Sequence, residues 1–302
     1  MKLKLIALAA LLAASAPSFA AIDGSTTGNG SLIVNFISQG GPSATAGNDD
    51  ISAVFDLGVS MNTVLGWNGL AGFTRTWNLT SGLLSGTGIV GSQAVGSYGS
   101  SWADLNTFAT PARQAAIEFN VIALDNTDFA TAAGGSRYLT TATNTAYPSL
   151  TNSNLNGFQD MDRYVTANNL RGTHATQDNG ASTATPSDPS NSYFRAIGGF
   201  VQGDTWLTKT TADTTKNLAT AQNFWFLTTT APGGFGQATK QAFGVDLNGS
   251  GALGTGEFAQ WTVNQGAGTI TFTSPVPEAE TWAMLVAGLG LLGAIVRRRR
   301  AG

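Results

Sequence analysis

The chain has 302 residues, no cysteine, and only 11% charged residues, against a usual value of about 25%. Its formal charge of −3 includes +2 from Lys2 and Lys4 and +2 from the C-terminal tail, so the stretch between carries −7. That balance excludes a basic nucleic-acid footprint, and the missing thiols exclude disulfides, thiolate zinc sites and a cysteine nucleophile.

The chain opens with an export pattern. Lys2 and Lys4 precede the apolar run Leu5–Ala14, and Ser18-Phe19-Ala20 supplies small residues at −3 and −1. This is the layout read by signal peptidase, with cleavage expected between Ala20 and Ala21. The apolar run is too short for a permanent membrane span. Residues 1–20 are therefore expected to be a secretory signal, followed by an exported β-rich domain over 21–274.

Short apolar runs then alternate with Gly, Asn and Ser clusters, which predicts an all-β body. The predicted strands are Ser31–Ser38, Ile51–Val59, Phe73–Leu79, Ala115–Leu124, Tyr193–Phe200, Asn223–Thr229, Ala242–Leu247 and Thr269–Thr273, with a further strand near Phe258–Val263. The partial alternation of "IEFNVIAL" predicts a strand buried on both faces. Within Asn154–Leu170, the residues Met161, Tyr164, Val165 and Leu170 mark one helical face. Gly180–Asn191 reads as a surface loop. The expected architecture is a β-sandwich decorated by minor helices.

Few residues have the company that catalysis requires. His174 is the single histidine, without a preceding G-x-S-x-G elbow, and its polar neighbours predict a solvent-exposed loop. One histidine without cysteine cannot close a zinc centre of the usual kind. Glu118, Asp160 and Asp162 are candidate carboxylates for glycoside hydrolysis, whose spacing is set in space. Six tryptophans (67, 77, 102, 206, 225 and 261) could form a sugar-stacking face, although burial is the ordinary fate of each. No enzyme is expected.

"DLNGSGALGTGE" has the register of a twelve-residue calcium loop. Asp246, Asn248 and Ser250 stand at positions 1, 3 and 5, the Ala252 carbonyl at 7, and Glu257 at 12. The spacing resembles EF-hand and dockerin loops. The alternative is a Gly-rich hairpin turned by Asn248-Gly249, because a strand-like segment precedes it.

The tail carries Val276-Pro277-Glu278-Ala279, an uncharged segment over Thr281–Val296, and four arginines at Arg297, Arg298, Arg299 and Arg300. The segment is expected to be a transmembrane helix; at ~1.5 Å per residue it covers about 24 Å, short of a ~30 Å hydrocarbon core. Arg297–Arg300 resist crossing and stay cytoplasmic, while Trp282 suits the opposite interface. This order of devices over 275–302 resembles the PEP-CTERM sorting signal, with Ala279 in place of the family's second proline. The opening "TGNGSLIVNFISQ", followed by "SAVFDLGVSMNTVLG", is similar to a subgroup of the same proteins over Gly28–Gly66. The resemblance implies export through the inner membrane of a Gram-negative bacterium, transient anchoring, and processing by an exosortase. It further implies a structural or adhesive place at the cell surface or in an exopolysaccharide matrix. The alternative is a module that binds or hydrolyses extracellular polysaccharide. No cofactor is implied apart from calcium at the 246–257 loop.

Overall fold

The computed structural model describes residues 21–24, 26–38, 50–108, 117–128, 134–156, 161–194, 214–232 and 235–276, together with Leu289. Its strands are β1 Ser31–Ser38, β2 Ile51–Ser60, β3 Thr74–Asn78, β4 Leu83–Gly86, β5 Gln93–Ala94, β6 Ile117–Asp125 and β7 Arg137–Ala142. They continue with β8 Ala181–Ala184, β9 Lys216–Asn217, β10 Gln222–Thr228, β11 Thr239–Ala242, β12 Gln260–Asn264 and β13 Thr269–Thr273. The helices are α1 Met61–Leu65, α2 Ser101–Phe108, α3 Asn152–Asn156 and α4 Met161–Asn169, with 3-10 turns at Gly172–Ala175 and Ser190–Ser192.

The strands form one antiparallel sheet rather than the two layers of the expected sandwich. Its main path runs β5-β4-β3-β13-β12-β10-β7-β6-β1-β2-β8, with β11 branching from β10 and β9 from β6. The reason is that β1, β2 and β6 are apolar on both faces, so each face demands a cover. Leu32, Val34 and Phe36 of β1 join one core cluster with Phe55, Leu57, Phe119 and Val121. Ile33 and Ile37 join a second cluster with Ile122, Leu124, Tyr164 and Val165.

The first face is covered by the sheet itself, which curls until its path ends meet. A parallel bridge links Ser97, just beyond β5, to Gly180, just before β8. Asn179 clasps the junction: its carbonyl accepts the Ser97 N–H at 3.2 Å and its Nδ2 donates to the Val95 carbonyl at 2.7 Å. The enclosed interior is aromatic. Trp77 stacks on Trp261 at 5.6 Å, Trp67 lies 5.3 Å from Phe272, and Trp102 of α2 lies 5.3 Å from Phe36. Trp67, Trp77, Trp102, Trp225 and Trp261 are all buried, while Trp206 lies outside the described residues.

The second face is covered by α3, α4 and the segment around Tyr193 and Phe194. Met161, Tyr164 and Val165 form the buried face of α4 as their spacing predicts, but Leu170 falls just past its end and is exposed. The docking is specified by polar pairing inside the apolar contact. The Tyr164 hydroxyl donates to Asn35 Oδ1 at 2.8 Å, and Asn35 donates to its cross-strand partner Asn120 at 3.0 Å. Residues 21–24 join this layer: Ile22 is buried, and Asn169 brackets it by accepting its N–H and donating to its carbonyl.

Several sequence expectations need correction. Ala181–Ala184, expected in a surface loop, is a strand on β2, because small side chains let Gly172 press against it; a Cβ on Gly172 would lie 2.3 Å from the Ala181 carbonyl oxygen. Tyr193 and Phe194 lie outside any strand, and residues 195–200 are beyond the described set. Ala242–Leu247 is displaced toward β11, with Phe243 and Val245 pairing by single backbone bonds to Ala259 and Glu257. The short strands β4, β5, β7 and β9 had no predicted counterpart, being mostly polar or only two to six residues long.

Inside the curl, the Trp77 indole N–H donates to the Leu57 carbonyl at 2.8 Å. Replacing it by Phe removes that bond and leaves a void beside Trp261 and Trp67. Trp77→Phe is expected to lower unfolding free energy by about 2–4 kcal/mol. Urea denaturation should show a lower midpoint at unchanged m-value.

Candidate functional site

The tail leaves the body at the end of β13, and its root is gripped. Ser274 donates its N–H to the Phe73 carbonyl at 2.8 Å, and the Gly72 N–H donates to the Pro275 carbonyl at 2.8 Å. Gly72 has φ +66°, and a Cβ there would lie 2.9 Å from Val276 Cγ1. Val276 itself is 61% exposed. Backbone pairing therefore continues to one residue short of Val276. Pro277, Glu278, Ala279, the segment 281–296 except Leu289, and Arg297–Arg300 lie outside the described residues, as do Ala20 and the rest of 1–20. Ala21 is described and exposed. Among the described residues no helix is long and apolar enough to cross a membrane.

The Asp246–Glu257 turn projects from the same end of the sheet, between β11 and β12. Asp246 Oδ1 accepts the Ser250 N–H at 3.1 Å and Oδ2 the Gly251 N–H at 2.7 Å. Those amides hold the exposed Asp246 carboxyl below its ordinary range. Asn248 Oδ1 shares the Ser250 amide at 2.8 Å, and Ser250 Oγ donates to the Ala252 carbonyl at 2.8 Å. Glu257 turns inward and is buried, accepting Leu247 N–H at 3.1 Å and Gly254 N–H at 2.6 Å. Gly249, Gly251 and Gly256 take positive φ, which a glycine adopts without steric cost. Asp246, Asn248 and Ser250 thus come together around shared amides, while Glu257 is spent on the turn's base. Among the described residues no three histidine or acidic side chains gather in a metal-binding group.

Beside this turn lies a cleft of about 580 Å³, lined by Asn68, Thr145, Trp225, Lys240, Asp246 and Phe258 among others. Sequence reasoning missed Asn68, Thr145 and Lys240, because only the fold brings three distant segments together. Of the hydrolase candidates, Glu118 is on β6 opposite Asn217 and Asp162 is on α4 beside Gly24. Asp160 lies outside the described residues. Neither Glu118 nor Asp162 lines the cleft.

His174 is buried, not exposed. It sits in the Gly172–Ala175 turn, which lies on β8 because Gly180 has no Cβ; one there would fall 2.4 Å from the backbone nitrogen of His174. Its ring faces the Val54 backbone, and neither ring nitrogen makes a well-formed hydrogen bond. Burial pushes its pKa down to about 4. Asp56 is a second buried titratable group, missed in the sequence; it stands in the Asp56-Leu57-Gly58 stretch of β2, where the register with β1 shifts. Burial raises its pKa to about 7, opposed by hydrogen bonds from Gly58 N–H (2.9 Å) and Ser31 and aided by the charge of Asp23.

Compared with known families, residues 275–300 match the PEP-CTERM protein-sorting motif. That motif implies export and processing by an exosortase at the membrane of a Gram-negative bacterium. No characterised protein and no solved structure matches the chain.

The buried pair sets opposite limbs of a stability profile. Asp56 binds a proton more tightly folded than unfolded, so its contribution is present below about pH 4 and is lost as pH rises through 7. His174 binds a proton less tightly folded, so its contribution is present above pH 6.5 and is lost as pH falls through 4. Asp56→Asn should therefore flatten the loss between pH 4 and 8, by roughly 3–4 kcal/mol, in chemical denaturation followed against pH. His174→Gln should flatten the acid limb.

Glu257→Gln leaves one backbone donor of the turn without its charged acceptor, and should cost about 1–3 kcal/mol. The loss should be equal in chelator and in millimolar calcium. A wild-type melting temperature that rises with calcium, and a variant's that does not, would assign the ion to this turn.

Proposed function

We propose that the protein is a non-catalytic component of the cell surface or exopolysaccharide matrix, exported by its N-terminal signal and sorted through its C-terminus. The observation that carries this reading is the match of residues 275–300 to the sorting motif, directly abutting a body whose own pairing runs to Pro275. The described backbone pairing of the body runs to Pro275, upstream of Pro277–Ala279, where cleavage would release the body. Its partners are then signal peptidase, the inner membrane before processing, and an exosortase. Thr281–Val296 serves as the temporary membrane segment, and Arg297–Arg300 hold its end in the cytoplasm.

A sugar-binding role at the cleft is the second reading. Trp225 and Phe258 give it an apolar wall, and Asn68, Thr145, Lys240 and Asp246 give hydrogen-bonding groups. Hydrolysis is disfavoured there, because Asp246 is the one carboxylate lining it among the described residues and glycosidases use two.

Intact mass of the mature protein tests the sorting reading. In a host with an exosortase the mass should lack Trp282–Arg300; its retention on every molecule would establish a permanent anchor instead. Neutralising Arg297–Arg300 should slow processing and release. For the cleft, Lys240→Ala should reduce binding on an array of acidic polysaccharides, and a blank array for the wild type leaves the structural role.

A further inference from the structure

The tail root dictates how the body sits before release. From Pro275, held by Gly72, to Thr281 is six residues, a reach of at most about 20 Å. The uncharged segment 281–296 is shorter than the hydrocarbon core, so its outer end is drawn inward and takes up part of that reach. A body of this size is on the order of 40 Å across. The tether is shorter than the body, so free tumbling above the membrane is impossible.

The surface around the root matches that placement. The turn after α1 and the β4–β5 turn meet there: Thr87 Oγ1 donates to the Gly72 carbonyl and accepts the Thr74 N–H at 2.9 Å. Leu70 is 43% exposed, Val90 fully so, and Val276 61%. These are three of the six large apolar side chains exposed on the described body. Residues 66–76, 86–92 and 272–276 contain no carboxylate and one cation, Arg75, in a body of charge −7. The adjoining turn holds two carboxylates: Asp246, both of whose oxygens are held by backbone amides, and Glu257, which is buried.

We infer that this rim, formed by Leu70–Phe73, Thr87–Val90 and Val276, is a membrane-contact surface that lies on the outer leaflet while the precursor is tethered. The inference rests on the tail acting as a membrane anchor. The rim brings apolar side chains and no net negative charge to a lipid headgroup surface, while the rest of the acidic body faces away. Contact ends when the tail is removed, since three isolated side chains without a basic cluster hold a protein to lipid weakly.

The absence of cysteine permits a direct test. Val90→Cys, Leu70→Cys and, at the far β12–β13 turn, Ala267→Cys are each labelled with a fluorophore in the full-length chain. The protein is inserted in phosphatidylethanolamine–phosphatidylglycerol vesicles carrying a headgroup-attached quencher. Probes at 70 and 90 should be quenched several-fold more than the probe at 267. A twenty-residue Gly-Ser insertion after Val276 should erase most of the difference, because such a linker spans about 25 Å and restores tumbling. A chain that washes off the vesicles overturns the anchor reading and this proposal with it. An inserted chain whose three probes are quenched alike overturns the proposal alone.

Discussion

The indole of Trp77 donates to the carbonyl of Leu57 across the interior, joining β3 and β2, which stand third and tenth along the main strand path. Such a bond forms only if the sheet has curled fully around an aromatic core. The same curl brings Ser97 to Gly180 and lets Asn179 close the seam. Every strand with an apolar inner face depends on it, because a flat sheet would leave Phe36, Phe55, Phe224 and Phe272 in water. A short helix lies near each end of the curl: Trp67 after α1 contacts Phe73 and Phe272, and Trp102 of α2 lies against Gly268 of the far turn.

The outer layer is held by a different device. Glycines permit backbone to lie on backbone, as where a Cβ on Gly30 would fall 2.0 Å from the Leu124 carbonyl oxygen. That contact explains the Gly28-Asn29-Gly30 pattern at the start of β1, with Asn29 Oδ1 accepting the N–H of Asn62 in α1. At the same end, Arg137 pairs with Asp125 and donates to the Gly28 carbonyl. Close approach there and at Gly172 and Gly180 buries polar groups such as Asn35, Asn120 and Ser182, which find partners within the layer. Asp56 and His174, whose ionisation is strongly shifted, belong to this layer, where desolvation outweighs the available hydrogen bonds.

Sorting and fold meet at a single hydrogen-bonded pair, Gly72 to Pro275. Because β13 lies between β3 and β12, the tail root cannot peel away without opening the sheet. The exosortase motif is thus presented from a fixed point, and loss of everything after Ala279 removes none of the body's described contacts. A neutral polar exterior with few charges leaves the tail's four arginines as the chain's densest cluster of charge.

The sorting signal was readable from sequence because it acts through local properties: an apolar length, a charge cluster and a proline, none of which needs a partner in the fold. The long strands β1, β2, β6 and β10 were readable for a similar reason, since their apolar runs exceed what a loop tolerates. The Asp246–Glu257 stretch was legible as a Gly-rich connection between strand-like segments, although the inward rotation of Glu257 was not. Tertiary structure alone decided that one sheet curls on itself, because closure depends on pairings between residues as distant as Ser97 and Gly180. It also decided that a histidine among polar neighbours is buried and that Ala181–Ala184 is a strand. Both follow from glycines whose missing Cβ matters only when another backbone arrives beside it.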